Sequence, residues 1–183
     1  PVDAVGPLSA RLLIVGLAPG LKGANATGRP FTGDSAGGYL YHMLGRFGLA
    51  TSTYGGHAGD GVVLNDVRIT NAVRCVPPQN KPTSAEATSC RPFLAREIAA
   101  MTNLQTILAL GKLAHDAVLR CFDCRLAAYP FAHQSNYLIA YNYQLISSYH
   151  CSRYNTQTGR LTDAMFASVF TDITRTMAMP QEN

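Results

Sequence analysis

Tryptophan is absent from this 183-residue chain, acidic residues number only 11, and charged residues of both signs make up 14% of it. So little charge excludes a disordered, self-repelling chain. Long apolar runs are also missing: none approaches the ~18 residues of a membrane-spanning helix. Five cysteines are too few and too odd in number for a closed disulfide framework, which points to a reducing, intracellular compartment such as a cytoplasm, nucleoid or organelle matrix. Neither G-x-G-x-x-G nor G-x4-G-K-S/T occurs, so a dinucleotide or Walker-type phosphate site is disfavoured. The chain opens on Pro1 without a charged-then-apolar leader, which reads as a processed or trimmed chain.

What is present is apolar material: 47% of residues are hydrophobic, enough for a single domain spanning residues 1–183 to bury roughly 70% of its unfolded surface. The net charge of +4 is mild, and 12 of the 15 basic residues are Arg. That balance permits a polyanionic partner read through forked guanidinium contacts, but it is not the profile of a bulk nucleic-acid coat.

Four short apolar runs, Arg11–Gly16, Val67–Val73, Thr106–Leu110 and Gln144–Tyr149, each end at a turn signal, as central parallel strands do. Helical spacing connects Tyr39, Leu40, Met43, Leu44 and Phe47, ending at Gly48. Thr83 with Glu86 forms a capping box that opens a second helix, and Leu113–Leu119 and Met165–Ile173 supply two more. Alternating strands and helices predict an α/β fold, a three-layer α/β/α sandwich around a short, mostly parallel four-stranded sheet. Thr51–Gly61 is Gly-rich and polar and reads as a surface excursion, and Met179–Asn183 as a frayed end.

Ligands of such sheets sit beyond the carboxyl ends of the strands, so the loops there are where chemistry is expected. The first runs from Gly16 through Ala18, Pro19, Gly20, Gly23 and Asn25 to Gly28-Arg29-Pro30-Phe31-Thr32-Gly33-Asp34, with glycines that permit close backbone approach. Gly33-Asp34-Ser35-Ala36-Gly37 matches G-x-S-x-G, but a nucleophile elbow needs a strand directly before it. A helix start with Asp34 or Ser35 as N-cap fits better. His150 stands directly after the fourth strand and opens a polar loop, which favours a functional role; His42, His57, His115 and His133 have no such context. Cys75 and Cys90 are fifteen apart and Cys121-x-x-Cys124 is a separate pair, each only part of a metal site.

Gly16-Leu17-Ala18-Pro19-Gly20 through Gly28–Asp34, together with His150-Cys151-Ser152-Arg153-Tyr154-Asn155 and Thr158-Gly159-Arg160-Leu161-Thr162, resembles the type-B (family 5) uracil-DNA glycosylases. Thr70–Cys75, Asn80–Thr83 and Cys90–Leu94 are similar to the same family's middle segment. The resemblance covers nearly the whole chain from Arg11 to about Phe170. It implies a DNA-repair enzyme that flips a uracil or another modified base out of DNA and hydrolyses its N-glycosidic bond. In that reading Phe31 stacks on the base, Asn71 reads its edge, His150 donates to the base oxygen that gains charge, and Asp34 lies near the sugar. Gly16, Ala18, Pro19, Gly20 and Asn25 border the base, with Ala18 where other types carry a polar water-activating residue. Ser152, Arg153, Tyr154 and Asn155 wedge into the duplex and grip phosphate. DNA is the implied partner and no membrane is involved; a monomer is expected.

Two departures from the family pattern stand out. Cys151 replaces its usual Pro, removing a φ constraint from the wedge loop. The family also implies a 4Fe–4S cluster on four cysteines. Cys75 and Cys90 match the later two, but no cysteine precedes Leu12. The earlier pair is lost, lies on a segment outside this chain, or is replaced by Cys121 and Cys124. These departures motivate a second reading: a glycosylase-fold protein that no longer cuts and serves as a nucleic-acid-binding or structural subunit of a larger assembly.

Overall fold

The computed structural model describes residues 1–51 and 54–179. Strand β1 (Leu12–Gly16) is followed by the one-turn helix α1 (Ala24–Thr27) and by α2 (Ser35–Arg46). Then come β2 (Val67–Asn71), α3 (Ser84–Ala100), β3 (Thr106–Leu110), α4 (Lys112–Cys121), β4 (Asn136–Leu138), β5 (Gln144–Ser148), α5 (Arg153–Gln157) and α6 (Asp163–Ala178). The strands form one sheet in the order β2-β1-β3-β5-β4. β1, β2, β3 and β5 run parallel, and β4 pairs antiparallel with β5.

The sheet therefore has five strands, not the expected four. Asn136-Tyr137-Leu138 was missed because it is a three-residue edge strand with only Tyr137 half-buried. It carries no apolar run, and its alternation is too short to register against the surrounding turns. The other four strands match the predicted runs, except that the first starts at Leu12, the second stops at Asn71 and the fourth at Ser148.

Those strands read as continuous hydrophobic runs because both faces are covered. Leu12, Ile14, Val67, Ile69, Leu108 and Ile146 join a core with α2 and α6, in which Leu40, Met43, Leu44, Phe166, Val169 and Phe170 are buried. Leu13, Val15, Ile107, Ala109 and Leu145 face the other way, onto Leu94 and Ile98 of α3 and Val118 and Leu119 of α4. Alternation along each strand thus sorts one chain into two cores and three layers. Caps fix where helices start. Thr83 and Glu86 form the full capping box of α3, and Thr162 accepts from the Met165 amide to open α6. His115 is a structural residue of α4, fully buried, with Nε2 against the Tyr129 carbonyl at 2.8 Å and Nδ1 against Ser147 Oγ at 2.7 Å.

Of the segment Thr51–Gly61, residues 52 and 53 lie outside the described residues, as do 180–183 of the end expected to fray. The rest of Thr51–Gly61 is largely exposed, yet the Asp60 side chain is buried, so the excursion is anchored inward. Among the described residues no helix is long and apolar enough to cross a membrane.

Candidate active site

Register brings the strand ends together. Gly16 is paired with Asn71 across β1 and β2, which puts the Asn71 side chain beside the backbone at the start of the first loop. A methyl group at Gly16 would lie 2.4 Å from Asn71 Oδ1 and 2.5 Å from Phe31 Cζ, so only glycine lets these two side chains meet there. His150 follows β5 on the other side of β3, and Gly111, the residue after β3, leaves 3.5 Å between a would-be Cβ and that of His150. The Phe31 and His150 rings face each other with centroids 6.0 Å apart and planes 25° from parallel. Three side chains separated by up to 119 positions in sequence thereby converge at the carboxyl end of the sheet.

Beside His150 lies a cavity of about 430 Å³, walled by Leu17, Ala18 and Gly20 from the first loop, Asp34 and Ser35 at the start of α2, and Asn80, His150, Ser152 and Arg153; Phe31 and Asn71 are buried and are not part of its wall. That volume suits a small flat ligand. Asp34 is the N-cap of α2: one carboxylate oxygen accepts from the Gly37 amide at 2.9 Å. Its other oxygen stands over Gly20 and Gly23, where a methyl at Gly23 would sit 2.7 Å from it. Capping thus pins the carboxylate while leaving one oxygen directed at the first loop. Burial pushes the His150 imidazole below its ordinary pKa, and the charge of Asp34 works weakly in the opposite direction. The net effect favours a neutral ring, a donor rather than a cation, near pH 7.

The remaining expected residues are placed as follows. Pro19 is buried behind the cavity wall, and Asn25 is exposed on α1, away from the cavity lining. Ser152 caps α5, and the Asn155 amide donates to the His150 carbonyl at 2.8 Å, bracing the loop from within. Arg153 lies at the cavity rim and Tyr154 is 70% exposed beside it. Cys151 is buried, its thiol donating to the Ala36 carbonyl at 3.6 Å, and burial raises its pKa to about 12. Ser35 follows a long loop instead of a strand, so the nucleophile-elbow geometry is absent. Asn80 was not singled out individually by sequence reasoning. Its signal was a Pro-Pro turn that carries Gln79 and Asn80 at positive φ and so presents the Asn80 amide to the cavity.

Cys75 is exposed after β2 and Cys90 is half-buried on α3. Among the described residues no group of three or more His, Cys, Asp or Glu side chains is arranged to hold a metal. Cys121 and Cys124 therefore do not complete a four-thiol set with Cys75 and Cys90. Cys121 instead lies against Ala95, Ile98 and Ala99 of α3, with burial raising its pKa to about 11. The residues of this chain do not by themselves fit a four-thiolate cluster.

Residues 4–174 match the family model of the uracil DNA glycosylase superfamily. The chain belongs to that superfamily. Within it, the chain is 43% identical over 175 residues to a type-5 uracil-DNA glycosylase of Thermus thermophilus, covering 96% of this chain and 80% of that protein. Similar matches are to type-5 enzymes of Mycobacterium leprae, 43% identical over 94% of this chain and 76% of the relative, and of Pyrobaculum aerophilum, 40% identical over 92% and 73%. A type-4 uracil-DNA glycosylase of Archaeoglobus fulgidus is more distant, at 34% identity over 67% of the chain and 54% of its own length. The superfamily assignment and the site coincide: Gly16, Phe31, Asp34, Asn71 and His150 all fall inside the matched span.

Proposed function

We propose that this chain is a type-5 uracil-DNA glycosylase, a monofunctional hydrolase that releases uracil from DNA to start base excision repair. The observation that carries this reading is the meeting of Phe31 with Asn71 at Gly16 and of its ring with that of His150, which lines a cavity together with Asp34.

Extrusion of the nucleotide costs a few kcal/mol and is cheapest at a mispaired base, so selection begins before chemistry. The Phe31 face returns part of that cost by stacking, worth about 1–3 kcal/mol. Asn71, with both a donor and an acceptor, matches the alternating edge of uracil. As the glycosidic bond breaks, electrons pass to the base and its carbonyl oxygen becomes anionic. A neutral His150 N–H stabilises that charge without first having to give up a proton. The sugar acquires oxocarbenium character, which the Asp34 carboxylate stabilises across the cavity. Water then adds to the sugar carbon and its proton leaves to solvent or to Asp34. This largely dissociative course needs no strong base at position 18, consistent with the Ala there. Arg153 and Tyr154, exposed on α5, supply the phosphate contact and the wedge that fills the vacated stack.

The test is single-turnover incubation with a uracil-containing duplex, scored as abasic sites. Release by the wild-type chain, reduced by about 10²–10³ in His150→Ala, is the expected result. No release by a folded, DNA-binding protein would instead support a catalytically retired binding subunit.

A further inference from the structure

Phe31 is held at φ 52°, in the left-handed region that an aromatic L-residue rarely occupies. Such a conformation persists only where the surroundings over-determine it. Here they do. Arg29, two residues earlier, commits its whole guanidinium: Nη1 and Nη2 donate to the two oxygens of Asp60 at 2.8 and 2.7 Å, and Nε donates to Thr32 Oγ1 at 2.8 Å. The pair is nearly sealed from water, with side chains 8% and 2% exposed. Asp60 also accepts from the Gly55 and Val62 amides at 3.0 and 3.1 Å, which locks its own loop to the pair. The guanidinium lies 5.0 Å from the centre of the Tyr41 ring, and Tyr41 in turn stacks on Tyr54 at 4.8 Å. The Tyr54 hydroxyl closes the frame. It accepts from the Gly33 amide at 3.1 Å and donates to the Phe31 carbonyl at 3.3 Å, fixing the backbone that leaves the strained residue. None of these groups lines the cavity or touches His150 or Asn71.

We infer that Arg29, Asp60 and Tyr54 are positioning residues: a buried clamp, reaching across from the 54–62 loop, that holds Phe31 in the backbone conformation that aims its ring at the flipped base. The clamp acts through Phe31 and has no contact of its own with substrate. The inference rests on the stacking role proposed for Phe31.

The experiment is a set of single-turnover excision rates on a uracil duplex, paired with affinity for a duplex carrying an abasic site, which offers no base to stack. Tyr54→Phe removes the bridging hydroxyl and keeps the stacked ring; it is expected to slow excision by about 2–10-fold, since the two hydrogen bonds it loses, at 3.1 and 3.3 Å, are long and weak. Affinity for the abasic duplex should stay within about twofold of wild type, because the phosphate contacts that dominate DNA affinity are untouched. Asp60→Asn should slow excision by about 10–100-fold, as misplacement of a reacting partner does. Arg29→Lys keeps the charge but not the fork and should fall between the two. If the ion-pair variants do not fold, Tyr54→Phe alone decides.

The diagnostic is the double variant Phe31→Ala with Tyr54→Phe. A clamp that works through Phe31 has nothing left to position, so the double variant should match Phe31→Ala within about twofold, a non-additive result. A wild-type rate in Tyr54→Phe, or losses that multiply in the double variant, overturns the clamp. A wild-type rate in Phe31→Ala overturns the stacking role itself, and so separates failure of that reading from failure of the clamp.

Discussion

Gly16→Ala isolates the convergence of the site better than removal of any functional group. The added methyl would lie 2.4 Å from Asn71 Oδ1 and 2.5 and 2.6 Å from two atoms of the Phe31 ring, each about 1 Å inside ordinary contact. Gly16 is the last residue of strand β1, paired with Asn71 of β2 and not at positive φ, so alanine brings no conformational penalty. Everything it costs comes from displaced side chains. Asn71 is fixed at the end of strand β2, whereas the Phe31 ring hangs from a loop, so the ring should yield. Overpacking of this kind costs about 1–3 kcal/mol. In a domain of this length that lowers Tm by about 2–4 °C for each kcal/mol. The effect on chemistry is larger, because a stacking face moved by 1 Å no longer meets the base and can cost about 10²-fold. The assay pairs thermal melting with single-turnover excision. Gly45→Ala serves as control, since a methyl there meets nothing within 4 Å inside α2 and should raise stability without changing the rate. Wild-type excision by a folded Gly16→Ala protein would refute the reasoning, because Phe31 and Asn71 could then be displaced without consequence.

Asp34→Asn keeps an N-cap for α2 but removes the charge that opposes the lowering of the His150 pKa. Excision should fall by about 100-fold or more, and the acid limb of the pH–rate profile should move to lower pH, measured by single-turnover rates from pH 4.5 to 8. Stability should depend on three histidines: burial, complete for His115 and partial for His133 and His150, lowers the pKa of each. Their contribution is complete above the ordinary histidine pKa near 6.5. It is lost as pH falls below that value, because the unfolded chain binds protons that the folded one excludes, at up to ~1.4 kcal/mol per pH unit per group. Urea midpoints at pH 7.5 and 5 check this, and His115→Asn should flatten the difference. A native-state thiol-labelling time course should modify exposed Cys75 readily and leave Cys151 unreacted until unfolding, since its thiol is buried with a pKa of about 12.

Much of this was legible in the chain. The strand end at Gly16, the capping box at Thr83 and an N-cap at Asp34 or Ser35 are local features, set by residues within a turn of one another. His150 stood out for the same reason: it directly follows an apolar run of readable length, Gln144–Tyr149. The fifth strand was not legible because an exposed three-residue edge buries too little to leave a hydrophobic pattern. Asp60 was hidden differently. Its neighbours Gly55, Gly56, Gly59 and Gly61 spell a solvent loop, and most of that loop is exposed; only the distant Arg29 explains why one carboxylate turns inward. Cys121 and Cys124 have a suggestive spacing, but among the described residues they join no group of three or more metal-ligating side chains.

The site thus draws on two kinds of support with different mechanical consequences. Asn71 and His150 inherit their positions from parallel strands whose register is set by two buried cores, so their placement is as stable as the fold. Phe31 and Asp34 come from a loop, and a loop at a strained φ has no such guarantee. Asp34 gains one from the helix it caps, and Phe31 from the Arg29–Asp60 pair and the Tyr54 hydroxyl. Substitutions in the strands should therefore lose stability and activity together, whereas substitutions in the 29–34 and 54–62 loops should separate the two. Measured across both groups, a slope of log rate against ΔTm that is shallow for strand positions and steep for loop positions follows from this division; one common line through both groups would mean that the loop has no independent freedom to lose.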